Sequence, residues 1–471
     1  MPYTPRRTGV RACNRIAVEK LEDRTLFAIS TLPVLIGGAA AKSVQFTDPN
    51  GTRAVVQLSG AGNATVNFTG DNLSQAASAN GIAVSGTNIS LDSINVTGTT
   101  LNSVLRVSTV GRSQVSIGGI TTSTVLASIL APGAVLAGDM STGGWVHQVS
   151  LGGAQDGTIT IGPSHINGGL MLNVGSAVDE NLVSDIRVDS LNAGQWVDFA
   201  TAGHSIQAPQ VMHLNVRGNF APDLLISGVA GARSALGTFA AGGIVGGTWT
   251  IGGSAQTIRA GSAGGGWTAT AGGSVGTLNI TGNATLDLTA PTMGTMLVRG
   301  ALTDSNITLT QPLAPVGFDL TNLSVGGGIV SSTIRSSGSI NAINAARIQD
   351  SQIYAGIVAL PAGQGLPQTT GDFANVAQIN SITLRRTAAV ASFSGSDIAA
   401  YGIGSVVLGT VDTNNSGTPF GLGTHRLRSI SLTQFGTNKA VHVNNVPSTV
   451  FFSSVLIAKG INPGDLTVNI I

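Results

Sequence analysis

Outside the basic N-terminal residues 1–25, charged side chains are densest in one stretch of this 471-residue sequence, AVDENLVSDIRVDSLNAGQWVDF. Asp185, Arg187 and Asp189 alternate there with apolar residues. Because successive side chains of a β-strand point to opposite faces, the spacing predicts that these three residues share the outer face of a strand. Carboxylates on one face can bind a calcium ion or hydrogen-bond to a sugar. A solvated outer strand with a local ion pair is the alternative interpretation.

Other residue types that carry chemistry occur without the spacing that the chemistry needs. The six histidines are scattered, with no H-x-x-x-H or H-x-x-E pair, and no G-x-S-x-G segment has an acid and a base nearby. The motifs of catalytic β-helices such as polygalacturonases are also missing. We therefore predict no catalytic residue, no cofactor and no metal site. The four tryptophans could stack on sugars if they were exposed in a row, but packing in a core is the favoured interpretation. They are Trp145, Trp196, Trp249 and Trp267.

The composition is typical of an all-β protein with a slightly acidic body. Charged residues make up only 10% of the chain, Gly accounts for 65 residues, and only three of the 22 acidic residues are Glu. Residues 1–25 hold six bases and three acids, which leaves 17 bases against 19 acids elsewhere. Without a basic stripe, we expect no nucleic-acid partner. The single cysteine, Cys13, excludes an intrachain disulfide and a zinc site built on thiolates.

The N-terminal residues 1–41 have the pattern of an export leader. A basic stretch runs into the apolar segment LFAISTLPVLIGGAAAKS, in which Ala39–Ala41 suit a small-residue cleavage site. Its length and Pro33 argue against a transmembrane span. A disordered N-terminus that leads into a first strand is the alternative.

Within this leader, RIAVEKLEDRTLFA resembles the leader of large exported proteins of planctomycetes. The resemblance covers about residues 18–28. Its core is formed by Leu21, Glu22, Asp23, Arg24, Thr25 and Leu26. The resemblance implies export and sorting to the cell surface or envelope.

A short sequence motif, called the phrase below, recurs along the rest of the chain. GTLNITG ends at Gly282 and GTMLVRG ends at Gly300. Variants recur from about residue 94 to 459, and from Ser190 onward their intervals are mostly 18 to 28 residues. One such unit has too little apolar surface to fold alone, but stacked units pair strand to strand and join their apolar positions into a continuous core. The repeats therefore predict a parallel β-helix, or β-solenoid, of about a dozen coils.

We divide the chain on this basis into a leader (1–41), a small antiparallel β module or N-terminal cap (42–93), solenoid repeats (94–459) and a C-terminal cap or tail (460–471). VLIAK at 455–459 is one of five weaker copies of the phrase, and LPAGQGLPQTTGDF at 360–373 is predicted to be an inserted loop. The residues predicted to lie inside are Leu278, Ile280, Met296, Val298, Leu323 and Val325. The repeats resemble the Gly-rich β-strand repeats of large exported bacterial proteins.

Two classes of function are compatible with these observations. The first is a non-catalytic structural or adhesive protein of the cell surface or envelope. The second is an extracellular β-helix that binds or degrades polysaccharide, for which Asp185, Arg187 and Asp189 would be the site. The expected partners are extracellular polysaccharides or envelope components.

Overall fold

The computed structural model describes residues 30–163, 168–199, 203–311, 317–361, 363–386 and 389–471. The protein is nearly all β and forms a parallel β-solenoid of about 14 turns, with an antiparallel module at its N-terminus. The predicted fold class is therefore confirmed.

The N-terminal strands are β1 Ser30–Gly37, β2 Ser43–Thr47, β3 Arg53–Ser59, β4 Asn63–Ser78, β5 Gly81–Thr97 and β6 Val104–Thr109. Antiparallel pairs join β1 to β4, β4 to β5, β2 to β3 and β3 to β6. β5 and β6 also pair in parallel with strands of the first coils, so the module continues into the solenoid. β1 lies within the stretch predicted as leader, and its Val34 and Ile36 are buried in the core.

The next strands are β7 Val115–Thr122, β8 Leu126–Leu136, β9 Met140–Thr142, β10 Val146–Gln155, β11 Thr158–Ile161, β12 Leu170–Val174, β13 Ala177–Val178, β14 Asn181–Ser184, β15 Val188–Ala193, β16 Trp196–Val197, β17 Ser205–Ala208, β18 Val211–Phe220, β19 Asp223–Ile226 and β20 Leu236–Ile244. They are followed by β21 Thr248–Ile251, β22 Ala255–Ala260, β23 Thr268–Ala271, β24 Val275–Ile280, β25 Asp287–Ala290, β26 Met293–Val298, β27 Leu302–Thr303, β28 Asn306–Leu309, β29 Leu320–Val330, β30 Thr333–Ser336, β31 Ile340–Gln349, β32 Gln352–Ala355, β33 Gln378–Leu384 and β34 Phe393–Ser394. The last elements are β35 Asp397–Val411, β36 Phe420–Gln434, β37 Ala440–Val446, the helix α1 Thr449–Ala458 and β38 Leu466–Ile470.

Each coil has three faces, which follow one another along the chain. Face 1 carries the repeated phrase and includes β15, β18, β22, β24 and β26, stacked in parallel. Face 2 is a short segment just after the phrase, such as β13 and β16. Face 3 consists of four-residue strands such as β14, β17, β19 and β21.

The interior of face 1 is an unbroken apolar column. Register-matched residues of successive coils supply it, and each is at most 1% exposed: Leu105, Ile129, Val149, Leu172, Leu191, Leu214, Phe239, Ile258, Leu278, Met296, Leu323, Ile343, Ile382, Val406 and Ile430. All six residues predicted to lie inside are buried, which confirms the alternation read from the phrase.

Glycine ends the phrase because adjacent coils nearly touch at that corner. A Cβ added to Gly282 would lie 2.7 Å from the carbonyl oxygen of Gly261, and one added to Gly300 would lie 2.6 Å from that of Gly282. Real Cβ atoms do not approach an oxygen so closely, so any larger residue would force the coils apart. Glycine is therefore required at these positions because the backbones of adjacent coils approach closely, and not because the backbone is left-handed.

The tryptophans belong to the core. Trp196, Trp249 and Trp267 are at most 1% exposed, and Trp145 is 9% exposed. Trp249 and Trp267 pack edge to face, with ring centroids 4.9 Å apart. Offset edge-to-face contacts add to the stability that burial of aromatic surface provides. These four side chains thus do not form an exposed platform for sugars.

The C-terminal end departs from the repeat. VLIAK, one of the weaker predicted copies of the phrase, is wrong as a strand because it lies at the end of α1. The first turn of α1 is capped by Ser448, which accepts the Phe451 N–H. Phe452 and Leu456 of α1 are buried. β38 then pairs in parallel with the start of β36 as the last rung of face 3. No helix in the described part of the chain combines the length and apolarity that a membrane crossing needs.

The predicted insertion between β32 and β33 is a loop that packs on face 3. It contains a short 3-10 helix, Thr370–Asp372. Tyr354 Oη donates a hydrogen bond to the Gly365 carbonyl, and Asn469 Nδ2 donates one to the Pro367 carbonyl at 2.6 Å. These contacts tie the loop to the last coils of the solenoid.

Candidate functional site

The three charged residues predicted as a site lie around a corner rather than on one strand. β14 ends at Ser184, and β15 begins at Val188. Asp185 follows β14, Arg187 precedes β15 and Asp189 lies within β15. The expected alternation is still present, because Ile186 and Val188 are buried. The corner nevertheless directs the charged side chains to two different faces of the solenoid.

Arg187 and Asp189 form a local ion pair. Arg187 Nε lies 2.5 Å from Asp189 Oδ1, and the two side chains are 46% and 34% exposed. An ion pair this exposed contributes at most about 1 kcal/mol to stability, because water and salt screen it. The arrangement matches the local ion pair that the sequence left as the alternative.

Asp185 borders a groove on face 3. The groove has a volume of about 620 Å³ and crosses β14, β17, β19 and β21. It is lined by Val183, Ser184, Asp185, Gln207, Ala208, Pro209, Leu225, Ile226, Ser227, Thr250 and Gly252. Among these lining residues Asp185 is the one with an ionisable side chain. The groove therefore offers hydrogen-bonding groups and apolar surface, but only a single carboxylate.

A second cluster, which the sequence analysis missed, lies at the other end of β14. His204 Nδ1 is 3.0 Å from Asp198 Oδ1 and 3.9 Å from Asp179 Oδ1. These three side chains are only 15% to 16% exposed. One nitrogen of His204 and one carboxylate oxygen from each aspartate all lie within 4.8 Å of one another. The sequence spacing singled out none of the six histidines and favoured isolated surface positions for them; for His204 this was wrong, because it contacts two carboxylates.

The stacking of coils brings the two carboxylates together. Val178 pairs with Val197 in the parallel contact between β13 and β16, so Asp179 and Asp198 follow at equivalent positions of adjacent coils. They are 19 residues apart, which is one repeat length. That spacing of one repeat between two aspartates is the signal in the sequence that predicts the cluster.

A buried carboxyl group lies next to this cluster in the chain. Glu180 is fully buried, and its Oε2 accepts a hydrogen bond from the Gly157 N–H of the preceding coil at 3.2 Å. Burial raises the pKa of Glu180 to about 8; the Gly157 bond opposes the rise, and the nearby carboxylates of Asp139 and Asp156 add to it. Glu180 therefore carries a proton at neutral pH.

In later coils a serine takes the place of Glu180 and accepts a backbone N–H at the corner that precedes face 3. Each buried hydroxyl accepts the N–H of an earlier coil and donates to the carbonyl two residues before it: Ser305, Ser332, Ser351 and Ser396. The sequence analysis did not identify this ladder. It satisfies backbone donors that would otherwise be buried without a partner. Glu180 does this with a group that can ionise.

The comparisons with known proteins add no relative. No family model matches the chain, and no curated protein or solved structure matches it. The predicted sorting motif, residues 21–26, lies outside the described residues. A functional assignment therefore has to come from the faces, the groove and the corners of the solenoid.

Proposed function

We propose that this protein is a non-catalytic structural or adhesive component of the cell surface or envelope. A β-solenoid fold is compatible with surface proteins and with proteins that handle polysaccharides. The apolar column of face 1 is the observation that carries the structural role. Because the column is continuous through the coils, each coil is held by both neighbours, and the array behaves as one stiff body roughly 65 Å long at about 4.8 Å per coil.

The groove supports the absence of catalysis. Hydrolysis of a glycosidic bond uses two carboxyl groups that flank the bond, one as an acid and one as a base or nucleophile. Among the described residues that line the groove, Asp185 is the only one with a carboxylate. The other polar side chains there are the hydroxyls and the amide of Gln207, which do not ionise near neutral pH and so are poor general acids or bases.

The leader supports the surface location, with one change to its boundary. Cleavage after Ala41 would remove β1, whose eight residues pair with β4 and whose Ile36 is fully buried. Loss of that strand would expose both the edge of β4 and part of the core. We therefore place the export signal within residues 1–29, where the planctomycete-like motif lies.

Binding of extracellular polysaccharide is a second candidate function, which the side chains lining the groove favour. Leu225 is 45% exposed on its floor, next to the amide of Gln207. Apolar surface beside hydrogen-bonding groups is the usual composition of a ligand-binding cleft. In this case the protein would adhere to a polysaccharide without cleaving it.

Treating intact cells of the native host with protease tests the surface location. We expect the full-length protein to be degraded on intact cells, and changing Leu26 and Phe27 to Asn to retain it inside, because export machinery recognises an apolar segment. The matched control is Leu26→Val with Phe27→Leu, which keeps the segment apolar and should leave export unchanged. Ile36 is left unaltered because it is part of the core. Protection of the unaltered protein in the cytosol would contradict the proposal.

A further inference from the structure

We propose that Asp179, Asp198 and His204 bind a divalent transition-metal cation, with Zn²⁺ as the best match to the donor set. The site would join two adjacent coils at the corner between face 2 and face 3. It is separate from the groove, which lies at the opposite end of the face 3 strands.

Backbone donors orient both carboxylates. The Phe199 N–H donates to Asp179 Oδ1 at 2.6 Å, and the His204 N–H donates to Asp198 Oδ2 at 3.0 Å. This leaves Asp198 Oδ1 directed at the imidazole, 3.0 Å from His204 Nδ1. The three side chains therefore converge before any ligand arrives, which lowers the entropy lost on binding.

The distances fit a metal ion after small side-chain rotations. Zn²⁺ binds imidazole nitrogen and carboxylate oxygen at about 2.0–2.2 Å, so tetrahedral ligand atoms lie roughly 3.4 Å apart. The separations of His204 Nδ1 from Asp198 Oδ1 and Asp179 Oδ1, 3.0 and 3.9 Å, bracket that value. In the bound form Nδ1 would present its lone pair to the metal, and the ring proton would reside on Nε2. A water molecule would complete the coordination.

The nature of the donors selects the class of cation. Imidazole favours Zn²⁺ and its neighbours in the first transition series, whereas Ca²⁺ and Mg²⁺ prefer all-oxygen sites. The opposing explanation is that His204 is protonated and bridges the two carboxylates as an ion pair. That explanation predicts the same contacts but no binding of Zn²⁺.

Calorimetric titration of the chelator-treated full-length protein distinguishes the two explanations. We expect one Zn²⁺ per chain at pH 7.5, with Ca²⁺ at least tenfold weaker. Asp198→Asn and His204→Gln should each weaken Zn²⁺ binding by tenfold or more. The matched controls Asp287→Asn and His213→Gln alter exposed side chains elsewhere on the solenoid and should bind as the unaltered protein does.

A spectroscopic readout on the unaltered protein guards against variants that do not fold. Zn²⁺ should shift the ¹⁵N resonance of His204 Nδ1 and leave that of His213 unchanged. No saturable Zn²⁺ binding, equal binding by the site and control variants, or an unshifted His204 resonance at saturation would each overturn the proposal.

Discussion

Replacing Ile280 by Asp is expected to unfold the solenoid around the coils of β22, β24 and β26. Ile280 is fully buried and lies between Ala260 and Val298 of the adjacent coils. A carboxylate there would have no partner, and an unpaired buried charge costs several kcal/mol. Because each coil is stabilised by its neighbours, the damage should spread along the array. Hydrogen exchange resolved along the chain would show lost amide protection in β22–β26 first.

Two control variants isolate burial of the charge as the cause. Ile280→Val removes one methylene group and should cost about 1 kcal/mol. Thr289→Asp places the same carboxylate on the exposed side of β25 and should leave protection nearly unchanged. If Ile280→Asp were as protected as Thr289→Asp, the assignment of this position to the core would be wrong.

We expect the free energy of unfolding of the unaltered protein to fall as pH rises, and we expect Glu180→Gln to abolish this fall. The pKa of Glu180 is about 8 in the folded protein and 4.5 in the unfolded chain. Between these values the folded state holds a proton that the unfolded state has lost, so the free energy of unfolding falls as pH rises. The stability that protonated Glu180 contributes is complete below pH 4.5. It is lost by about pH 8 and does not change further above that pH. At about 1.4 kcal/mol per pKa unit the fall is roughly 3–5 kcal/mol.

Chemical denaturation of both proteins at several pH values measures this effect. Gln keeps an oxygen that can accept the Gly157 N–H and cannot ionise, so the variant should gain stability relative to the unaltered protein between pH 5 and 8. Asp287→Asn, which changes an exposed carboxylate, should follow the unaltered protein at every pH. Parallel curves for the unaltered protein and Glu180→Gln would show that Glu180 is not held as a buried, protonated carboxyl.

Much of the fold could be predicted from the sequence because stacking repeats the same constraint in every coil. The alternating positions of Leu278 and Ile280 indicate which side of one strand faces inward. The recurrence of their pattern predicts the next strand. The two ends were less predictable, since they are where the repeat stops. The apolar residues of β1 were assigned to the leader, with a first strand as the alternative, and the last residues of α1 were assigned to a strand, because composition alone does not reveal what they pack against.

The candidate site was harder to predict because its residues come from different coils. Asp185, Arg187 and Asp189 are close in sequence, yet the corner at residues 185–187 turns them to different faces. Asp179 and Asp198 are far apart in sequence, and only the register between β13 and β16 brings them together. A site of this kind depends on coil length, which insertions change from one repeat to the next.

Product release from polysaccharides is the measurement that tests the central claim most directly. The purified full-length protein would be incubated with pectin, alginate, chitin or xylan, with and without Ca²⁺, and soluble products would be quantified. The proposed function predicts no products above the background, even where the protein binds the polymer. Turnover that Asp185→Asn abolishes while the fold survives would contradict a non-catalytic role and would assign the groove to an enzyme.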